Sequence, residues 1–153
     1  MVTVTRDANC SPAAVLAVLA DGWTYATWVV GTSRLRGVDP TWPAPGSRLA
    51  HSFGVWPAVI NDVTIVRCWE PARGIELQAR GWPAGEARVV IGVSARDGGS
   101  RLRISEDAVK GPGTLIPRPV RSAVLIPRNQ ETLHPLVMLA EGRLVAAAAP
   151  PES

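Results

Sequence analysis

The sequence predicts an α+β domain, in which a curved antiparallel sheet of about six or seven strands wraps on one long C-terminal helix and two short helices follow the first strand. Three observations carry this. Between Gly46 and Lys110 apolar residues recur at alternate positions, with turn residues between the runs. From Thr114 to Val145 the period changes, and Ile126, Leu133, Val137, Ala140 and Leu144 fall close to one line at about 3.6 residues per turn. Before residue 110 only one patch reads as helical. A sheet and a single amphipathic helix each need the other to bury an apolar face.

Taken in order, Val2 and Val4 alternate with threonines as a short strand. Ser11-Pro12 starts a helix, with serine as N-cap and proline at the first helical position. Val15, Leu16 and Leu19 form its buried face, Asp21-Gly22 ends it, and a second short helical turn runs through Trp23 to Trp28. Arg34 to Pro45 reads as a loop, because Pro40, Pro43 and Pro45 exclude regular structure. Strands follow on Leu49, His51, Phe53 and Val55, then on Val59 to Trp69, where Val63 and Ile65 share a parity with Arg67 and leave the inward side undecided. The next strand carries Ile75, Leu77 and Ala79 inward, and its successor Ala87, Val89, Ile91 and Val93. After the tight turn Asp97-Gly98-Gly99, the last strand places Leu102, Ile104, Glu106 and Ala108 on the inward parity. Gly111-Pro112-Gly113 then releases the chain into the final helix. The domain spans residues 1–145, and residues 146–153 form a flexible tail.

The 153 residues fit one domain that buries roughly 70% of its unfolded surface. A net charge of +3 comes from scattered arginines without a basic run or aromatic platform, which argues against nucleic acid as a partner. Cys10 and Cys68 lie far apart with no metal-ligand spacing, so a reduced pair in a cytoplasmic protein is expected. Pro12 to Ala20 imitates a signal-peptide core, but Arg6 is offset by Asp7 and the preceding residues look like a strand. No apolar run approaches the ~20 residues of a membrane span, so stable membrane insertion is not expected.

In an antiparallel meander alternate turns share an end of the sheet, which groups Trp56-Pro57, Trp82-Pro83 and Gly111-Pro112-Gly113. The inward strand residues are mainly Val, Ile, Ala and Leu, and the chain has one Phe and one Tyr. So small an inner face favours a hollow interior, with the two Trp-Pro turns at its mouth.

The Ser11-Pro12-Ala13-Ala14-Val15 helix start, the stretch from Asp21-Gly22 to Trp28-Val29-Val30-Gly31, and Trp42-Pro43-Ala44-Pro45-Gly46 ahead of the sheet form a pattern with later segments. Those are Glu106 followed by Gly111-Pro112, and Arg128-Asn129-Gln130-Glu131-Thr132-Leu133 in the helix. Together they resemble the helix-grip fold of the START-like polyketide cyclase/dehydrase and lipid-transport (SRPBCC) superfamily, over roughly Val2 to Arg143. The resemblance implies the fold and an apolar ligand. It carries no shared catalytic motif, since such families include aromatase/cyclases, lipid and sterol carriers and hormone receptors. Pro127 and Pro135 depart from the usually continuous final helix, and a kink is expected at Pro127, with the part from Val120 as the cavity lid.

The leading expectation is a protein that binds a hydrophobic or aromatic, polyketide- or lipid-like molecule between sheet and helix. Phe53, Val55, Trp56, Leu77, Trp82, Ile91, Ile104, Val120 and Val124 are the expected ligand contacts. The alternative is a cyclase/dehydrase-type enzyme. In it, inward His51 and Glu106 act as acid and base, burial favouring the neutral form of each. The plainer reading pairs Glu106 with an arginine near the rim and packs His51 in the core. A third class is a regulatory module whose ligand closes the Trp-Pro rim for a protein partner. Arg80, Arg88, Arg96, Arg101 and Arg103 lie on the outward parity, either as a solvated, partly paired face or as a dock for an acidic carrier protein. A homodimer is also compatible with the sequence. No cofactor or metal is expected, because neither GxGxxG nor GxxxxGK[ST] occurs and no Cys/His cluster is present.

Overall fold

In the computed structural model, which describes residues 1–81 and 85–148, seven strands form a single antiparallel sheet. They are β1 (Val2–Ala8), β2 (Thr32–Val38), β3 (Arg48–Phe53), β4 (Ile60–Glu70), β5 (Gly74–Gly81), β6 (Gly85–Arg96) and β7 (Gly99–Lys110), in the spatial order β1-β7-β6-β5-β4-β3-β2. β2 to β7 are a meander, and β1 closes the far edge on β7 in the register Val4↔Ile104. Helices α1 (Pro12–Ala20) and α2 (Tyr25–Trp28) follow β1, and α3 (Arg118–Ala148) ends the described chain. The helix-grip architecture read from the sequence is the one observed.

Ser11 caps α1 as its position predicts: its Oγ accepts from the Ala14 N–H at 3.3 Å, and Pro12 sits in the first turn, where no donor is needed. Asp21 ends α1, accepting from the Trp23 N–H at 3.2 Å and from Arg143 Nη2 at 2.7 Å. One carboxylate thus ties the start of the α2 turn to the far end of α3.

Two expectations change. Residues 34–38 are not loop but the larger part of edge strand β2, paired with β3 from Thr32↔Phe53 to Val38↔Leu49. Register shifts after Thr32 and after Leu35 break the alternation that would have marked it. The inward side of β4 is also settled. Asp62, Thr64 and Val66 are buried, while Val63 and Ile65 are only half-buried. A register shift between Val66 and Cys68 then turns the strand, so that Trp69 rather than Cys68 packs on the core.

α3 keeps its helical assignment through Pro127 and Pro135. Each proline removes a donor, for the carbonyls of Ala123 and Glu131 respectively. Both of those residues are exposed, so water can take the donor's place. The helix also runs three residues past the expected boundary at 145, to Ala148; the tail at 149–153 lies outside the described residues.

The core sits between the sheet, α1 and the second half of α3. Val15, Val18, Leu102, Leu133, Leu136 and Ala140 are all fully buried there. Cys10 is buried and Cys68 exposed, and both are free thiols.

Candidate ligand-binding site

The first half of α3 does not pack on the inner face of the sheet. Between them lies a cavity of about 470 Å³. Its cause is a row of small residues. Ala79 of β5, Ala87 of β6 and Ala108 of β7 are neighbours in register, and all three line the cavity. Deeper along the same strands the inward residues are Leu77, Ile91 and Ile104, each at most 3% exposed. The sheet face is therefore full-sized where the core lies and shallow at the end shared by the β3–β4 and β5–β6 turns. Phe53 and Ile60 close one side, and Val120, Val124 and Leu125 of α3, with Ile116 just before it, form the opposite wall. Val120 and Val124 remain 55% and 62% exposed, so this wall is also the mouth. At the rim Gly85 has φ +111°, and a Cβ there would lie 1.9 Å from the Lys110 carbonyl oxygen, so only glycine lets β6 start so close to β7.

The polar groups on the wall are mostly paired. Glu106, 5% exposed on β7, accepts from Arg128 Nη1 at 2.8 and 2.9 Å, which links the sheet to α3 across the cavity floor. Arg80 lies 3.7 Å from Glu86 at the rim. Arg121 pairs with Asp107, which also receives the N-terminal ammonium at 3.2 Å. Asp62 alone of the lining carboxylates has no ion-pair partner among the described residues; it accepts its neighbour Val63 N–H at 2.7 Å.

His51 faces Asp62 in register but lies beneath the cavity, not on its wall. Its ring stacks on Tyr25 at 5.3 Å and meets Phe53 edge-on at 4.7 Å. His51 Nε2 and Tyr25 Oη both lie 3.0 Å from Thr64 Oγ1. Burial holds the imidazole below its ordinary 6.5, against the pull of the Asp62 carboxylate, and it pushes the Tyr25 phenol up to about 12. The trio is neutral near pH 7 and forms a core network.

Comparison with known proteins now identifies the family. Residues 1–137 match the family described as polyketide cyclase/dehydrase and lipid transport. The chain belongs to that family. No curated protein matches its sequence. Among solved structures it is similar to one half of the di-domain ARO/CYC StfQ from the steffimycin biosynthetic pathway, at TM-score 0.72 and 12% identity over 93% of this chain and 50% of that one. It is also similar to a Staphylococcus aureus protein of unknown function, at TM-score 0.70 and 10% identity over 94% of each chain. A third is Ara h 8.0201, at TM-score 0.65 and 13% identity over 94% of this chain and 96% of that one. At these identities the likeness is one of fold. The family match bears out the resemblance carried by the segments quoted above, and the cavity of this polyketide cyclase/dehydrase and lipid-transport family member lies between sheet and C-terminal helix.

The expected contacts divide by depth. Phe53, Val120 and Val124 line the main cavity, and Leu77, Ile91 and Ile104 line a smaller pocket beneath it. Val55 and Trp56, on the β3–β4 turn, are 82% and 88% exposed and line neither. Trp82 lies outside the described residues. Glu106 is on the cavity wall and His51 is not, and no hydrogen bond joins them. Trp42 has a structural task, its Nε1 donating to the Leu19 carbonyl at 3.2 Å. Sequence reasoning passed over Asp62, Arg128 and Asn129 as site residues. The β4 register shift hid Asp62, while the two helix residues lie one and two positions after a proline, where inward direction is hard to read.

No helix of the described residues is long and apolar enough to cross a membrane. Among the described residues no group of three or more His, Cys, Asp or Glu could hold a metal ion.

Proposed function

We propose that this protein binds a hydrophobic, polyketide- or lipid-like small molecule in the cavity beneath the first half of α3. The observation that carries the reading is the alanine row. It removes side-chain volume from one end of an otherwise well-filled sheet and leaves about 470 Å³ with an apolar lining, within the usual size range for small-molecule sites. Family membership supports the same class of ligand.

Binding is favoured over acid–base catalysis by two placements. Glu106 is engaged by Arg128, and His51 is committed to Thr64 and packed between aromatic rings below the cavity. The outer arginines give little support to a carrier-protein dock, since Arg88 and Arg101 each hold a carboxylate at 2.7 Å and Arg96 lies 3.6 Å from Asp7.

The test is binding of the uncharged apolar fluorophore N-phenyl-1-naphthylamine, with native mass spectrometry of freshly purified protein alongside. Blue-shifted, saturable one-to-one fluorescence or a co-purified apolar molecule supports the reading. No binding of the fluorophore and no co-purified ligand would remove it. Turnover of an identified ligand that Glu106→Gln abolishes would instead restore the enzymatic alternative.

A further inference from the structure

Below the Glu106–Arg128 pair lies the smaller pocket, of about 30 Å³. That is room for one oxygen-sized group. Ala79, Glu106 and Arg128 line both spaces, so the two adjoin beside the ion pair. Most of the inner wall is apolar, including Trp28, Leu77 and Ile104, and the Tyr25 hydroxyl there is already bonded to Thr64. Asn129 of α3 also lines this pocket. It is 1% exposed, and its Nδ2 is a buried donor with no hydrogen-bond partner among the described residues. A buried amide donor left in that condition costs about 1–3 kcal/mol, which an acceptor reaching it would recover.

The charges on the wall say what kind of acceptor fits. Arg80, Arg121 and Arg128 line the main cavity, and each is already held by a carboxylate. Arg128, the guanidinium that lines the inner pocket, is thus taken by Glu106, whereas Arg121 Nε at the main cavity is a buried donor with no hydrogen-bond partner among the described residues. Asp62 adds a negative charge with no ion-pair partner among the described residues, and Glu106 stands beside the inner pocket. A carboxylate entering the inner pocket would lose its hydration and meet the Glu106 carboxylate.

We infer that Asn129 anchors a carbonyl or hydroxyl oxygen at the buried end of an uncharged apolar ligand, and that this buried end rejects a carboxylate in place of that oxygen. The inference rests on the cavity being the ligand site. It adds which end of the ligand goes in first and which charge state is accepted.

Three probes of matched shape test it by displacement of N-phenyl-1-naphthylamine: 2-acetylnaphthalene, 2-ethylnaphthalene and 2-naphthoate. In the native chain the acetyl compound should bind about tenfold or more tightly than the ethyl compound, the size expected for one recovered buried hydrogen bond. The naphthoate should bind about tenfold or more weakly than the acetyl compound. Asn129→Leu should abolish the acetyl-over-ethyl preference while leaving the ethyl compound's affinity within about twofold. If the variant fails to fold, the comparison of the three probes on the native chain decides alone. Equal binding of acetyl and ethyl compounds, naphthoate binding as tight as acetyl, or a preference that survives in Asn129→Leu would each overturn the inference. In all three cases the fluorophore still binds, so the cavity reading stands. If the fluorophore itself does not bind, the cavity reading has failed first.

Discussion

The two halves of α3 share one helix, one apolar stripe and one sheet, yet only one of them is packed. From Leu133 to Ala140 the stripe is solid core, with Leu133, Leu136 and Ala140 fully buried and Val137 5% exposed. In the first half Val120, Val124 and Ile126 are 55%, 62% and 40% exposed. The helix does not explain the contrast. The sheet does: the second half lies over Leu77, Ile91 and Ile104, and the first half over Ala79, Ala87 and Ala108. A helical stripe shows which face turns toward the sheet, whereas the partner's side-chain volume decides whether the two meet. The Glu106–Arg128 pair sits at the boundary between the two regimes.

Deletions on either side should separate them most sharply. Leu136→Ala, in the packed half, should lower unfolding free energy by about 3 kcal/mol, as buried leucine truncations do. Val124→Ala, on the cavity wall, should cost less than about 0.5 kcal/mol. Urea denaturation of both variants reads the difference, and equal losses would merge the two halves into one core. Next in size is the boundary. Arg128→Leu leaves Glu106 buried without its partner and should cost about 2 kcal/mol, less than a fully enclosed pair because Arg128 is 32% exposed. Restoring neutrality with Arg128→Leu/Glu106→Gln should recover most of that loss.

A smaller effect comes from the core network beside the cavity. His51 titrates below its ordinary 6.5 in the folded protein, so the unfolded chain takes up the proton first as pH falls. The associated stability is fully present above about 6.5 and is lost as pH drops below it, toward the folded value. The melting temperature should therefore fall between pH 7.5 and pH 5.5, and His51→Gln should show a flatter profile over that range. An equally steep profile in the variant would assign the dependence elsewhere. Smallest of all, Arg88→Ala on the outer face of the sheet breaks an exposed pair with Glu76 and should leave the urea midpoint unchanged within error.

Much of this was legible in the residues. The parity of β5, β6 and β7 gave the inner face correctly, and the scarcity of large inward side chains pointed to a hollow interior. The Ser11-Pro12 start and the 3.6-residue stripe of α3 also read directly. Less legible were features set by register. β2 reads as loop because two register shifts erase its alternation, and the prolines that follow dominate the local signal. Asp62 is not legible because Val63 and Ile65 share a parity with Arg67 and leave the inward side of β4 open, and only the folded strand shows Asp62, Thr64 and Val66 buried. That Arg128 reaches Glu106 and Asn129 the inner pocket follows from how α3 lies against the sheet. A period alone does not fix that rotation.

If the alanine row makes a binding space, filling that row should remove binding and leave the fold in place. Ala87→Phe, at the middle of the row, adds a ring where the account places empty volume. Unfolding free energy from urea denaturation should change by less than about 1 kcal/mol, because no packed neighbour has to move, while affinity for N-phenyl-1-naphthylamine should fall at least about tenfold. Unchanged affinity for the fluorophore in a folded variant, or a stability loss of about 3 kcal/mol from overpacking, would contradict it.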